Sequence, residues 1–146
     1  MIAALVLLYG QSLSRIVSLQ LDDVRDHDGT ITIRLAADWV EVPSPVAEVV
    51  RLHIEHRPGL NTAANQGSVL LFPGKMPGRP LHVYSVANTL RSHGIPALAA
   101  RSGTWLQLVR ETPPAILSEA LGVTAATAMR YAERAGSDFL CHAASR

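Results

Sequence analysis

Arginines in the C-terminal half of the sequence stand at positions that suit phosphate binding. Arg101 lies in an otherwise apolar stretch, where a charged group needs a partner. A phosphate is one such partner, and Glu111, Glu119 or a cluster of backbone carbonyls is another. Arg130 and Arg134 are four residues apart, so on a helix they either follow a DNA backbone or form a solvated stripe.

Residues 112–135 have the pattern of a helix-turn-helix. An apolar stretch ends at Gly122, Thr124 follows as a cap for the next helix, and Thr127 and Arg130 lie on one side of that helix. Glycine permits the tight turn, and a capped helix directs its first amides toward phosphate. The pattern favours DNA binding over a plain helical hairpin, although the neighbouring alanines offer no hydrogen bonds to base edges.

Charge is distributed unevenly along the chain. Residues 1–74 contain five arginines and eight acidic residues, a net charge of −3, whereas residues 75–146 contain eight basic and four acidic residues, a net charge of +4. Lysine occurs once, and arginine's planar guanidinium suits phosphates and guanine edges. The basic half, which includes Arg91, is the predicted nucleic-acid face, with an ordinary solvated surface as the alternative.

Several other classes of site are excluded by residue type and spacing. A single cysteine, Cys141, forms neither an internal disulfide nor a cysteine metal cluster, and His53 and His56 lack a carboxylate on the same helix face. The sequence contains neither a glycine-rich phosphate loop nor a serine nucleophile elbow. The longest apolar run, residues 1–9, is too short to span a bilayer and lacks the features of a signal peptide. We therefore predict a cytoplasmic protein without a metal, a cofactor or a membrane partner.

The length of 146 residues, 48% of them hydrophobic, predicts one mainly helical α+β domain with a small antiparallel hairpin or sheet. A buried helix is predicted at residues 1–9, a second helix from residue 13, and further helices at 83–93 and 97–109. Ser44 is predicted to cap a helix whose inner face carries Val46, Val49, Val50 and Ile54. The last two helices are predicted at 112–122, capped by Thr112, and at 124–134, stopped by Gly136. Strands are predicted at 30–35 and 39–42 after a turn at 26–29. Residues 57–68 are predicted to be a mobile loop, and residues 69–72 a buried extended segment.

The order of these elements and several short motifs resemble the C-terminal catalytic domain of tyrosine recombinases, the phage-integrase family. Residues 7–24 are similar to that family's opening helix pair, and residues 30–43 to its hairpin. Leu71-Phe72-Pro73 is similar to the segment before the last helices of the domain. Leu121-Gly122 and Met129-Arg130-Tyr131-Ala132 resemble the Leu-Gly-His block and the tyrosine helix. The resemblance covers nearly the whole chain.

This resemblance implies a reaction and assigns residues to it. In the family, a tyrosine attacks a DNA phosphate and forms a phosphotyrosine link, while two arginines, a lysine and two histidine-type residues balance charge and move protons. Tyr131 matches the nucleophile, and Arg101 matches the arginine of the His-x-x-Arg motif. Arg15, three residues after the position of the first arginine, would approach the same phosphate from the next helical row. The implied catalytic residues are therefore Tyr131, Arg101 and Arg15.

Four positions depart from the family pattern. Ser12 stands in place of the first arginine, Leu98 in place of the motif histidine, and Val123 in place of the histidine after Leu-Gly, and the hairpin has no lysine. Arg34 and Lys75 are candidate replacements for that lysine. Each missing preorganised donor typically costs roughly 10²- to 10³-fold in rate. The resemblance therefore implies a degenerate active site.

The expected function is that of a DNA-binding domain linked to site-specific recombination or integration, with impaired strand cleavage. The expected partner is double-stranded DNA, with a second copy or a full-length recombinase as a further candidate; the predicted DNA contacts are Arg91, Thr124, Thr127, Arg130 and Arg134. The alternatives are an active recombinase that uses Arg15, a non-enzymatic regulator that uses residues 112–135 as a helix-turn-helix, and an interaction module that does not bind DNA. Residues 1–146 are expected to form a single domain that lacks the family's N-terminal domain, and such a half-clamp binds duplex weakly.

Overall fold

The structure, a computed structural model, describes residues 1–57 and 67–144, and their side chains as far as residue 136. The helices are α1 (Ile2–Tyr9), α2 (Leu13–Ser18), α3 (Ser44–Glu55), α4 (Val83–Ser92), α5 (Ala97–Glu111), α6 (Pro114–Leu121) and α7 (Ala125–Ala144). The strands are β1 (Val24–His27), β2 (Thr30–Arg34) and β3 (Trp39–Glu41), and a 3-10 turn (Leu21–Asp23) precedes β1. The predicted mainly helical α+β architecture with a small antiparallel sheet is confirmed.

Helix α1 ends where Gly10 adopts a left-handed backbone conformation, with a φ of 57°. Val6 and Tyr9 are buried, whereas Leu7 is 47% and Leu8 38% exposed, so the prediction of a buried helix is correct for one face only. The physical reason is that α1 packs mainly against α5 and α2, which leaves the face that carries Leu7 and Leu8 open to solvent. Neither α1 nor any other helix within residues 1–57 and 67–144 is long and apolar enough to cross a membrane.

The sheet has the strand order β1-β2-β3, and both pairs are antiparallel. The sequence predicted β2 and β3 but not β1, which pairs Asp26 with Ile31. Beyond the half-buried Val24, β1 is exposed, so it lacks the alternating apolar residues that predict a strand. The turn after β1 has positive φ angles at Asp28 (49°) and Gly29 (84°), as in two-residue hairpin turns that match the twist of the strands.

Helix α3 differs from its prediction at its start and on its inner face. Ser44 is the first helical residue, and Pro43 precedes it without a side-chain hydrogen bond, so the predicted serine cap is wrong. Ala47 and Val50 are buried, whereas Val49 is 41% exposed. The helical period of 3.6 residues places Val49 on the flank of the buried face rather than within it.

Residues 69–72 form the extended segment that the sequence predicts, although only its second half is buried. Leu71 and Phe72 are buried, and the Leu71 amide donates to the Leu19 carbonyl at 2.8 Å. Val69 is 60% exposed. The loop predicted before this segment lies largely outside the described residues.

Two boundary predictions in the C-terminal region are wrong, and one is confirmed. Helix α7 continues past Gly136, because a glycine that is not in a left-handed conformation costs a helix only about 1 kcal/mol. Thr112 ends α5, and Pro113 rather than Thr112 precedes α6. Thr124 does cap α7, since its Oγ1 accepts a hydrogen bond from the Thr127 amide at 3.2 Å.

One contiguous core joins the inner face of the sheet to α1, α2, α5 and α6. Trp105, on α5, is the largest fully buried side chain. Helix α5 packs against both α1 and α7, so the residues around Trp105 are fixed relative to both helices. Arg101 precedes Trp105 by one helical turn, and α5 therefore determines where that arginine lies.

Replacing Gly10 by alanine is expected to destabilise the fold by about 2 kcal/mol or more, through a left-handed backbone and a steric clash. An added Cβ would lie 2.6 Å from Trp105 Nε1. Urea unfolding followed by tryptophan fluorescence measures the effect. Gly103→Ala is the matched control, because Gly103 lies in α5 with open space around it, and alanine there should stabilise by about 0.5–1 kcal/mol. Equal stabilities of the two variants would contradict this account.

His53 connects α3 to the extended segment. Its Nε2 lies 2.9 Å from the Leu71 carbonyl oxygen, and its ring centroid is 4.8 Å from that of Phe72. Burial lowers the pKa of His53 below its usual value of 6.5. The folded state therefore favours the neutral imidazole, whose Nε2–H donates to the Leu71 carbonyl.

The free energy of unfolding is expected to fall as the pH drops below about 6.5. The pKa of His53 is lower in the folded state than in the unfolded state, so unfolding takes up a proton. The contribution of His53 to the free energy of unfolding is therefore fully present above the unfolded-state pKa, and it is lost as the pH falls toward the folded-state pKa. His53→Gln keeps an N–H donor but does not titrate, so its stability should decline less over the same range. Urea unfolding at a series of pH values measures both proteins. An identical decline would refute the assignment.

Candidate nucleic-acid interface

Arg101, on α5, is held by a backbone acceptor. Its Nε donates to the Gly10 carbonyl at 2.8 Å, and Trp105 Nε1 donates to the same oxygen at 2.9 Å. Of the partners that the sequence allowed, the structure therefore shows a carbonyl, and no carboxylate among the described residues pairs with Arg101. The bond occupies Nε alone, so the terminal N–H groups of the guanidinium are available to a ligand.

The Arg101 side chain lines a groove of about 250 Å³, which we call the Arg101 groove. Arg91, on α4, lines the same groove and donates from Nη1 to Asn88 Oδ1 at 3.0 Å. Ser12 and Leu98 also line it. Since the described lining contains two arginines and no acidic residue, the groove attracts anions.

Gln11 connects the groove to the turn between α6 and α7. It is only 4% exposed, and its Nε2 donates to the Leu121 carbonyl at 2.9 Å. Leu121 is the last residue of α6, so its carbonyl has no partner within the helix and depends on this bond. The bond brings the start of α2 next to Gly122 and the start of α7.

Tyr131, on α7, is half-buried and contacts α5. Its ring stacks on Trp105 with centroids 5.8 Å apart, and its hydroxyl lies 3.5 Å from Ser102 Oγ. Ser102 follows Arg101 in the sequence, so Tyr131 contacts α5 at the position next to Arg101. Tyr131 nevertheless lines a cavity separate from the Arg101 groove.

The exposed surface of α7 carries the remaining residues that were predicted to contact DNA. Arg130 and Arg134 line the same cavity of about 630 Å³ as Tyr131, together with Glu133, whose carboxylate lowers the positive charge there. Thr124 is exposed and Thr127 partly so, and their hydroxyl oxygens are 2.9 Å apart at the start of the helix. The structure thus brings two arginines together and places two threonines at the N-terminal end of the same helix.

Arg15, on α2, lies apart from both of these cavities. Its guanidinium packs against Gly122, where an added Cβ would be 3.3 Å from Arg15 Cζ. It lines a depression of about 360 Å³ together with Asp23 and Arg34, which we call the Arg15 depression. Arg101 does not line this depression, so the two arginines that the sequence placed at one phosphate open onto separate surfaces.

The substituted positions hold side chains that do little for phosphate chemistry. The Ser12 hydroxyl caps α2 by accepting the Arg15 amide at 3.4 Å. Leu98 is 78% exposed at the Arg101 groove, and Val123 is half-buried in the turn after Gly122. Neither aliphatic side chain donates a hydrogen bond or transfers a proton.

The two candidates for the missing hairpin lysine lie in different surroundings. Arg34, at the end of β2, donates from Nε and Nη2 to Asp23 Oδ1 at 3.0 and 2.7 Å. Lys75 is exposed in the connection before α4 and lines neither the Arg101 groove nor the Arg15 depression. Arg34 is therefore the candidate that lies close to a predicted site residue, and its charge is balanced by Asp23.

The histidines at helical spacing on α3 form other contacts. His53 bonds the Leu71 carbonyl, and His56 Nδ1 lies 3.2 Å from the Leu52 carbonyl. Throughout the part of the chain that the structure describes, no group of three His, Cys, Asp or Glu side chains is arranged to hold a metal ion.

Comparison with known proteins identifies the fold. Neither a protein-family model nor a curated protein sequence matches the chain. The XerH site-specific recombinase, solved in a post-cleavage complex with its palindromic difH substrate, is 18% identical and superposes with a TM-score of 0.65 over 99% of this chain and 44% of XerH. The XerA recombinase is 15% identical, with a TM-score of 0.64 over 95% of this chain and 55% of XerA.

The chain has a tyrosine recombinase-like fold. The resemblance inferred from the sequence is thereby confirmed at the level of the fold. The chain spans about half the length of these recombinases, 44% of XerH and 55% of XerA. Within this fold, the sequence indicates Arg101, Tyr131 and Arg91 but not three residues that assemble their surroundings: Gln11, Ser102 and the acceptor Gly10. Of these, Gly10 carries a signal as the glycine that ends α1, and Gln11 as the polar residue next to it.

Proposed function

We propose that this recombinase-like domain binds the backbone of duplex DNA in connection with site-specific recombination or integration, and that its strand-cleavage chemistry is impaired. The observation that carries the proposal is the Arg101 groove, where two guanidinium groups face a cavity without an acidic residue in its described lining. Arginine binds phosphate through a planar fork of N–H donors, and such contacts position a protein on DNA without reading its sequence.

The surface of α7 supports the same proposal. Arg130 is exposed, and no described residue pairs with it, so its charge is available to a phosphate. Arg134 lines the same cavity four residues later, and Thr124 and Thr127 present hydroxyls at the start of the helix. A second copy of the chain, or a full-length recombinase, would supply the contacts that one domain cannot make to both sides of a duplex.

Impaired cleavage is inferred from the groups that are missing around Arg101. Ser12 is committed to capping α2, and Leu98 and Val123 have no protons to exchange. If the donors acted independently, removing even two of them would cost roughly 10⁴-fold in rate or more, although such losses are seldom additive. Tyr131 would retain a nucleophilic hydroxyl without the charge balance that its attack on a phosphodiester requires.

Duplex binding is expected to weaken as the salt concentration rises. Each phosphate contact contributes about −0.9 to the slope of log K against log salt. Arg101→Met and Arg91→Ala should each make this slope shallower by about 0.9, whereas Arg110→Ala, an exposed arginine on α5 that lines none of the cavities above, should change it less. Fluorescence anisotropy with a short labelled duplex measures the slopes. A duplex affinity that does not change with the salt concentration would contradict the proposal.

The cleavage inference is tested with a nicked duplex that traps a covalent phosphotyrosine. The wild-type chain is expected to give no trapped adduct. The variant Ser12→Arg/Leu98→His/Val123→His restores three of the four missing residue types and is expected to give an adduct that Tyr131→Phe abolishes. Denaturing gel electrophoresis separates the adduct from free DNA. A Tyr131-dependent adduct from the wild-type chain would show that cleavage is intact and that the active-recombinase alternative is correct.

The second candidate function is that of a regulator in which α6 and α7 act as a helix-turn-helix. The cap at Thr124 and the left-handed Gly122, with a φ of 69°, favour this function. A regulator of this kind would lose binding when Thr127 and Arg130 are replaced by alanine, while Arg91→Ala would leave binding unchanged. The anisotropy measurements therefore separate the two functions.

A further inference from the structure

We propose that the Arg15 depression is a second phosphate-binding site, which holds a DNA phosphate different from the one held in the Arg101 groove. This inference rests on the proposed function, because both sites would act on one bound duplex. Arg15 shares its depression with Asp23 and Arg34, and none of these three residues lines the Arg101 groove. The guanidinium of Arg15 packs against Gly122, and that of Arg101 bonds the Gly10 carbonyl. The two arginines therefore present their free N–H groups to different cavities.

The charges in the depression suit one phosphodiester. No described residue forms a hydrogen bond or ion pair with the Arg15 guanidinium, and the side chain is exposed. Arg34 is neutralised by Asp23 through bonds of 3.0 and 2.7 Å. The net charge of the three side chains is thus +1, which matches the single negative charge of a phosphodiester. The volume of about 360 Å³ leaves room for that group beside the ion pair.

The two sites adjoin at the start of α2. Ser12, at the cap of α2, lines the Arg101 groove, and Arg15, three residues later in the same helix, lines the Arg15 depression. A DNA strand that runs past the start of α2 would therefore meet both sites.

Asp23→Asn is the most specific test, because it predicts a gain. Removing the carboxylate charge leaves an oxygen that can still accept the Gln20 amide, which Asp23 Oδ2 now accepts at 2.9 Å, and it frees Arg34 to bind the phosphate. Duplex affinity should rise by roughly fivefold at about 0.1 M salt. Asp22→Asn is the matched control: Asp22 is exposed, adjacent in sequence and absent from the depression, so it makes the same change in net charge.

A second pair of variants tests whether the two phosphates are distinct. Arg15→Ala and Arg91→Ala each remove an exposed guanidinium, and each is expected to make the slope of log K against log salt shallower by about 0.9. If two phosphates are involved, the slope of the double variant should be shallower than that of the wild-type chain by about 1.8. A shared phosphate would instead give a double variant with the slope of one single variant.

The outcomes distinguish the failure of this inference from the failure of the proposed function. Equal affinities of Asp23→Asn and Asp22→Asn, or a double variant no shallower in slope than Arg91→Ala alone, would overturn the second site while leaving duplex binding intact. A wild-type chain whose binding does not respond to salt would overturn the proposed function itself. A gain specific to Asp23→Asn together with additive slopes supports the second site.

Discussion

The carbonyl oxygen of Gly10 is the acceptor around which the candidate interface is organised. It receives hydrogen bonds from Arg101 and Trp105, while Thr104 Oγ1 donates to a carbonyl of the preceding turn, that of Leu7, at 2.9 Å. A short helix such as α1 leaves several carbonyls without partners at its end, and here α5 supplies donors from side chains on one of its faces. The orientation of α5 relative to α1 follows from these bonds, and the position of Arg101 follows from that orientation.

The same arrangement makes Arg101 both a structural residue and a binding residue. Its Nε bond to a carbonyl is charge-assisted, a class of hydrogen bond that contributes about 1.5–3 kcal/mol, and it fixes the plane of the guanidinium before any ligand arrives. A group fixed in advance loses less conformational entropy on binding than a free surface arginine does. Arg91, whose side chain bonds only Asn88 of its own helix among the described residues, would have to lose conformational freedom when it binds.

Local sequence signals predicted the elements but not the contacts that assemble the interface. The cap at Thr124 and the end of α1 at Gly10 were predictable because each depends on neighbouring residues. Arg101 was recognisable as a charge in need of a partner, yet that partner lies 91 residues away in the sequence, and no local pattern indicates it. The exposed strand β1 is not predictable for a different reason. Its sequence has no alternation of apolar residues, and it is a strand because its backbone pairs with β2.

The fold explains why arginine and tyrosine at positions 101 and 131 carry less information about catalysis than their types suggest. Arg101 bonds the end of α1, and the ring of Tyr131 stacks on the buried Trp105, so both side chains contribute to packing whether or not a phosphate is cleaved. Leu98 is largely exposed, so packing does not dictate its type. The part of each guanidinium that the fold does not use is the part available to a phosphate. In Arg101 that part is the terminal N–H groups, because only Nε bonds the Gly10 carbonyl. In Arg15 it is the whole guanidinium, whose nitrogens have no partner among the described residues.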